Sequence, residues 1–104
     1  MKRGEVWNVA GDGQHAAIVM QDDRFAAMLT VTVCPLTRSS ITSIYARPEI
    51  APSAANGLQR PARAMVDKVT TVPKTKLGKR LGLLEATEIA RIEHALRAFL
   101  GMAG

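Results

Sequence analysis

Residues 30–36 read TVTVCPL, with hydroxyl and valine side chains alternating until a proline interrupts them. A period of two marks a strand with one buried face, so Val31 and Val33 are assigned to the same inner face. Proline has no N–H to give to a ladder, and the strand is expected to end, or to lie at a sheet edge, at Pro35. Two further runs of strand character precede it, Glu5-Val6-Trp7-Asn8-Val9 and Ala16-Ala17-Ile18-Val19-Met20. Between them Gly11-Asp12-Gly13 supplies the positive φ that a tight hairpin turn requires.

Downstream, Ile44 to Ile50 is a weaker strand candidate because Pro48 lies in it, and residues 51–57, APSAANG, are expected to form a surface loop. Residues 64–72, AMVDKVTTV, are strand-like and stop at Pro73; Asp67 within them needs a partner if it is buried. One helix is expected from about Glu85. Ile89, Ile92, Leu96, Phe99 and Leu100 recur on one stripe, Glu88, Arg91, Glu93 and His94 lie off it, and Gly101 fits a C-cap. Short strands followed by one amphipathic helix predict a mainly β (α+β) domain, a small and strongly bent sheet or open barrel.

The 104 residues make one domain, 1–104, and a hydrophobic fraction of 47% predicts a packed core. No apolar run approaches the roughly 20 residues that cross a bilayer. The basic start, Met1-Lys2-Arg3, is followed by no apolar signal region, which predicts a cytoplasmic protein. One cysteine and two histidines offer no zinc ligand set, so no metal and no cofactor are expected. Lys and Arg outnumber Asp and Glu by 14 to 9, giving a formal charge of +5, a balance that draws polyanions or an acidic protein partner.

Several side chains are candidates for chemistry. Thr37-Arg38-Ser39-Ser40 puts three hydroxyls and a guanidinium after the Pro35 strand, a set that can bind phosphate or simply satisfy the backbone of a polar turn. Lys68, Lys74, Lys76, Lys79 and Arg80 fall in a stretch without acidic residues between Asp67 and Glu85. Cys34, among the valines, is read as a structural thiol, His94 as a surface residue and Trp7 as core or interface. Four aromatics are too few for a sheet of base-stacking rings.

Taken in order, Lys2-Arg3-Gly4-Glu5-Val6-Trp7, Ile18-Val19-Met20-Gln21-Asp22-Asp23, Val33-Cys34-Pro35-Leu36-Thr37, residues 65–72 (MVDKVTTV) and residues 76–82 (KLGKRLG) resemble the MazF/PemK family of toxin endoribonucleases, nearly end to end. The resemblance implies a small SH3-like barrel of the CcdB/PemK/MazF type with a C-terminal helix, assembled as a homodimer. It implies metal-independent cleavage of single-stranded RNA at short sequences, and neutralisation by a cognate antitoxin whose acidic, extended tail occupies the RNA groove. In the implied reaction the RNA 2′-OH attacks the adjacent phosphate, leaving a 2′,3′-cyclic phosphate and a 5′-OH.

Residue by residue, the family's threonine after its strand-ending Pro-hydrophobic pair falls on Thr37. The family's arginine, in an Arg-Pro pair that opens the second strand, falls on His15, with Ala16 in place of the proline. The loop before it is shortened to Gly11-Asp12-Gly13-Gln14. Histidine exchanges protons near neutral pH but offers fewer donors to a phosphorane than arginine does. His15 therefore takes over as acid or base, or the enzyme is weakened, or Arg24 or Arg38 fills the arginine's role. Asp67 matches a family aspartate and either orients a catalytic group or serves as a buried acceptor. Thr70 stands where family members often carry Arg or Lys. The catalytic candidates are thus Thr37, His15 and Asp67, and the RNA-binding candidates Arg38, Ser39, Ser40, Arg24, Lys68, Thr70 and Lys76. The rival within the same fold is the CcdB branch, which binds gyrase through its C-terminal residues and carries an aromatic there. Phe99, on the helix's apolar stripe, is instead expected in the core.

Overall fold

The computed structural model describes residues 1–10, 15–39 and 47–102; the Gly11-Asp12-Gly13 turn, Gln14, Ser40, the first part of the expected 44–50 strand and the last two residues lie outside them. Among the described residues, seven strands precede one α-helix: β1 (Glu5–Val9), β2 (His15–Val19), β3 (Thr30–Thr37), β4 (Glu49–Ile50), β5 (Ala62–Ala64), β6 (Thr70–Pro73), β7 (Leu77–Leu83) and α1 (Ala86–Leu100). They form one antiparallel sheet in the order β4-β5-β3-β2-β1-β7, with β6 also paired to β3. The result is a mainly antiparallel β half-barrel closed by the C-terminal helix.

Strand β3 holds this arrangement together because it has three partners. Its residues 30–33 pair with β6, Leu36 and Thr37 pair with β5, and Val33 to Pro35 pair with β2. Val31 and Val33 are buried with Ala17, Val19 and Leu77 in one cluster. Cys34 and Leu36 are buried with Ile18, Met20, Val66 and Ile92 in a second. Both faces of β2 and β3 are therefore covered, which suits the continuous apolar run in β2.

The strand runs through Pro35 instead of stopping there. A residue's N–H and C=O point to the same neighbouring strand, and the Pro35 carbonyl accepts from the Met65 N–H at 2.9 Å. The missing Pro35 donor thus faces the junction where β3 leaves β6 and joins β5, where a ladder bond is dispensable.

The expected 64–72 strand is in fact two short ones, β5 and β6, separated by a 3₁₀ turn at Val66–Lys68. That turn buries Val66 in the core and leaves Asp67 paired with Arg47. Strand β7 had no counterpart among the expected elements; its glycines and basic residues hide it. Gly82 is there because a side chain would collide with the backbone of Ala55 and Asn56.

Helix α1 starts at Glu85, whose carboxylate accepts from the Glu88 backbone while Glu88 reaches back, a capping box. It ends at Gly101, left-handed at φ 71°. Ile92 is buried, and Ile89, Ala95 and Leu96 pack on the core. Phe99 is not a core residue: it is 49% exposed, in a last helical turn, residues 97–100, that is exposed throughout. Arg3 ties the helix to β2 by donating to Glu93 and to the Met20 carbonyl.

Two internal braces fix the segments around β3. Asn56 is fully buried in the 51–59 loop; its Oδ1 accepts from the Ser53 and Leu58 N–H groups at 3.0 Å each, and its Nδ2 donates to the Ala51 carbonyl at 2.9 Å. The neighbouring Gly57, at φ 72°, lies against the Leu81 backbone. Gly57→Ala should lose roughly 2–4 kcal/mol in denaturant unfolding, from steric overlap and a left-handed alanine together.

In the second brace Arg47 donates twice to Asp67, Nε to Oδ1 at 2.9 Å and Nη2 to Oδ2 at 2.8 Å, with side chains only 13% and 10% exposed. Those bonds from Arg47 hold the Asp67 carboxyl below the usual carboxylate range despite its partial burial. The unfolded chain restores an ordinary value near 4, so the pair's stabilisation is complete above about pH 4 and is lost as pH falls through the folded value. Asp67→Asn is expected to lower the melting temperature at pH 7, with the two proteins converging as pH falls through the lowered folded value of Asp67.

Candidate active site

The sheet brings the ends of β2 and β3 together. Antiparallel pairing of Ala17 with Pro35 carries His15 and Thr37, each two residues further on, to the same end of the ladder. Both line an open groove of about 750 Å³. Its apolar floor includes Ala16, Leu36, Leu58, Ala62 and Leu81; its polar rim includes Asn8, His15, Thr37, Arg38, Ser39, Gln59, Arg60 and Lys79.

Thr37 ends β3, and its hydroxyl accepts from the Ser39 N–H at 3.2 Å. A hydroxyl that accepts one bond still has its proton to donate. The local turn that this bond makes and a donor aimed at a ligand are therefore compatible in one side chain. His15 and Arg38 are exposed. Among the described residues that line it, the groove carries Arg38, Arg60 and Lys79 and no carboxylate, so these present hydrogen-bond donors over an apolar floor. Such a surface can hold a phosphodiester and seat a base or sugar against the floor.

The other sequence candidates lie elsewhere. Asp67 belongs to the Arg47 brace and does not line the groove. Lys68, Thr70 and Lys76 are exposed outside it. Arg24 is bonded to Asp22 at 3.1 Å and stacks over Phe25, also outside the groove. The basic stretch divides: Lys79 enters the groove, Arg80 binds Glu5 at 2.9 Å, and Lys74 bonds to the Ala26 carbonyl.

Arg60, Gln59 and Asn8 were not recognisable as groove residues from the sequence. Arg60 had one local signal, the Pro61 after it, and Lys79 had the concealed strand β7. Cys34 is fully buried, and burial pushes its thiol up to about 12, which leaves it inert as a nucleophile at neutral pH. Trp7 is partly buried against the cluster of Val31 and Val33, its indole N–H donating to Glu5 at 3.1 Å. No group of three or more metal-ligating side chains occurs among the described residues, and no helix among them is long and apolar enough to cross a membrane.

With this geometry in view, the comparisons with known proteins are specific. Residues 2–100 match the family described as PemK-like, MazF-like toxin of type II toxin-antitoxin system. A probable endoribonuclease MazF from Mycolicibacterium smegmatis is 40% identical over 109 aligned residues, covering all of both chains. Among solved structures, Mycobacterium tuberculosis toxin MazF-mt6 superposes with a TM-score of 0.82 at 20% identity, over 96% of this chain and 99% of that one. A mycobacterial endoribonuclease solved in complex with its cognate antitoxin superposes at 0.81 and 22% identity, over 100% and 96%. These two likenesses are of fold, whereas the sequence match spans nearly every element that builds the groove. The chain belongs to the MazF/PemK family of toxin endoribonucleases of type II toxin-antitoxin systems.

Proposed function

We propose that the groove between β2, β3 and β7 is the active site, and that it cleaves single-stranded RNA by attack of the 2′-OH on the adjacent phosphate, without a metal. The observation that carries this reading is the presence of His15 and the consecutive Thr37 and Arg38 on one donor-rich groove, although His15 is far from that pair in the chain.

In this reaction the 2′-oxygen forms a bond to phosphorus as the bond to the 5′-oxygen breaks, giving a 2′,3′-cyclic phosphate and a 5′-OH. His15 takes the 2′-hydroxyl proton, and the departing 5′-oxygen takes one from water in the open groove. Thr37 donates its hydroxyl proton in a hydrogen bond to a non-bridging oxygen, where negative charge grows in the phosphorane. Arg38, Ser39 and Lys79 hold the strand by its phosphates.

The same cationic rim suits an acidic, extended antitoxin segment, so inhibition follows from occupation of the RNA groove. A structural neighbour solved in complex with its cognate antitoxin supports an antitoxin as the partner. A homodimer would cover some of the exposed apolar surface, which includes Leu29 at 87% exposure, Phe99, Leu100 and Met102. The gyrase-binding alternative loses its ground in the match to the PemK/MazF branch over residues 2–100.

Cleavage of RNA in EDTA, with mapping of 5′-OH ends, tests the reading directly; no cleavage between about pH 5.5 and 8 would refute it. Thr37→Ala is expected to lower the single-turnover rate by about 100-fold with little change in RNA affinity. His15→Ala should lower the rate by about 100-fold or more and remove one limb of the wild-type pH–rate profile. An unchanged profile would show that His15 moves no proton.

A further inference from the structure

The histidine at position 15 leaves a chemical gap, because an imidazole cannot give the two parallel N–H bonds with which arginine grips a phosphate. All nine arginines are among the described residues. Arg3, Arg24, Arg47, Arg63, Arg80 and Arg91 bond to protein acceptors, and Arg97 also has a partner. That leaves Arg38 and Arg60, and both line the groove.

Arg60 is held in a way that suits a reacting centre. Four residues before it, the fully buried Asn56 fixes the loop, and Gly57 and Gly82 let that loop approach β7 within backbone contact. Immediately after it, Pro61 leads into β5 and restricts Arg60 to extended conformations. Pairing of Thr37 with Arg63 sets the residues after Thr37 and those before Arg63 at the same end of the β3–β5 ladder. A preorganised backbone on both sides leaves less freedom to lose when the guanidinium meets a phosphate.

We propose that Arg60 is a catalytic residue: its guanidinium contacts the scissile phosphate and neutralises charge on the phosphorane, the task that His15 cannot perform. The assignment rests on the groove being the ribonuclease site. Arg60 exchanges no proton; the 2′-O–P bond forms and the P–O5′ bond breaks as described, with Arg60 donating two hydrogen bonds to non-bridging oxygens throughout.

The test uses the full chain in EDTA, with single-turnover cleavage of single-stranded RNA at saturating enzyme and binding of the uncleavable 2′-O-methyl RNA of the same sequence. Arg60→Ala is expected to cut about 100-fold more slowly than wild type, to lower the slope of log affinity against log salt by about 0.7, and to keep the wild-type melting temperature. Arg60→Lys keeps the charge and therefore the salt slope, yet remains at least about tenfold slow, because a point charge lacks the paired donors. Cleavage by Arg60→Ala within about twofold of wild type overturns the assignment, while wild-type cleavage that Thr37→Ala slows by about 100-fold leaves the active-site reading standing. A wild type that neither cuts nor binds overturns both.

Discussion

The constraint on which the rest depends is the burial of β2 and β3 on both faces. Once Val31 and Val33 are committed to one apolar cluster, and Cys34 and Leu36 to the other, the sheet must bend around them. A one-residue slip between β2 and β3 would exchange the two sets of side chains, so the register is strongly specified. That register brings His15 level with Thr37. The site geometry is therefore a by-product of core packing, with two exposed polar side chains carried at the ends of strands whose middles are apolar.

Charge is distributed by the same logic. Most cations are consumed in holding the fold: Arg3 joins β2 to α1, Arg47 closes on Asp67, and Arg80 covers Glu5. A net charge of +5 is thus a poor guide to where a polyanion binds. What matters is which cations remain after internal pairing, and three of these, Arg38, Arg60 and Lys79, share the groove. The Asp67 brace illustrates the reverse case, an acidic residue in a family motif whose partner is a structural arginine.

Much of the fold could be read along the chain. The alternation of Thr and Val announced β3, the five-residue apolar run announced β2, and the spacing of Ile89, Ile92 and Leu96 announced α1 with its Gly101 cap. The errors have a common source, since local rules cannot see the neighbour that makes an exception tolerable. Pro35 sits inside a strand because its missing N–H faces a junction between two partners. Residues 77–83 form a strand despite two glycines because Gly82 admits the Ala55–Asn56 backbone. Phe99 follows the helical stripe but falls in a last turn that is exposed throughout.

The sequence by itself determined the building materials: a small basic domain, mainly β with one C-terminal helix, and an ordered series of motifs that identified the family. It also placed Thr37 and His15 as candidates, because each is marked by its neighbours in the chain. Tertiary structure alone decided which charged side chains share one groove. Asp67 left the candidate site for Arg47, while Arg60 and Lys79 joined His15 and Thr37 there. The physical reason is that a groove is assembled from strand ends and loops far apart in the chain. Their juxtaposition is set by register and burial, which no local pattern of residue types encodes.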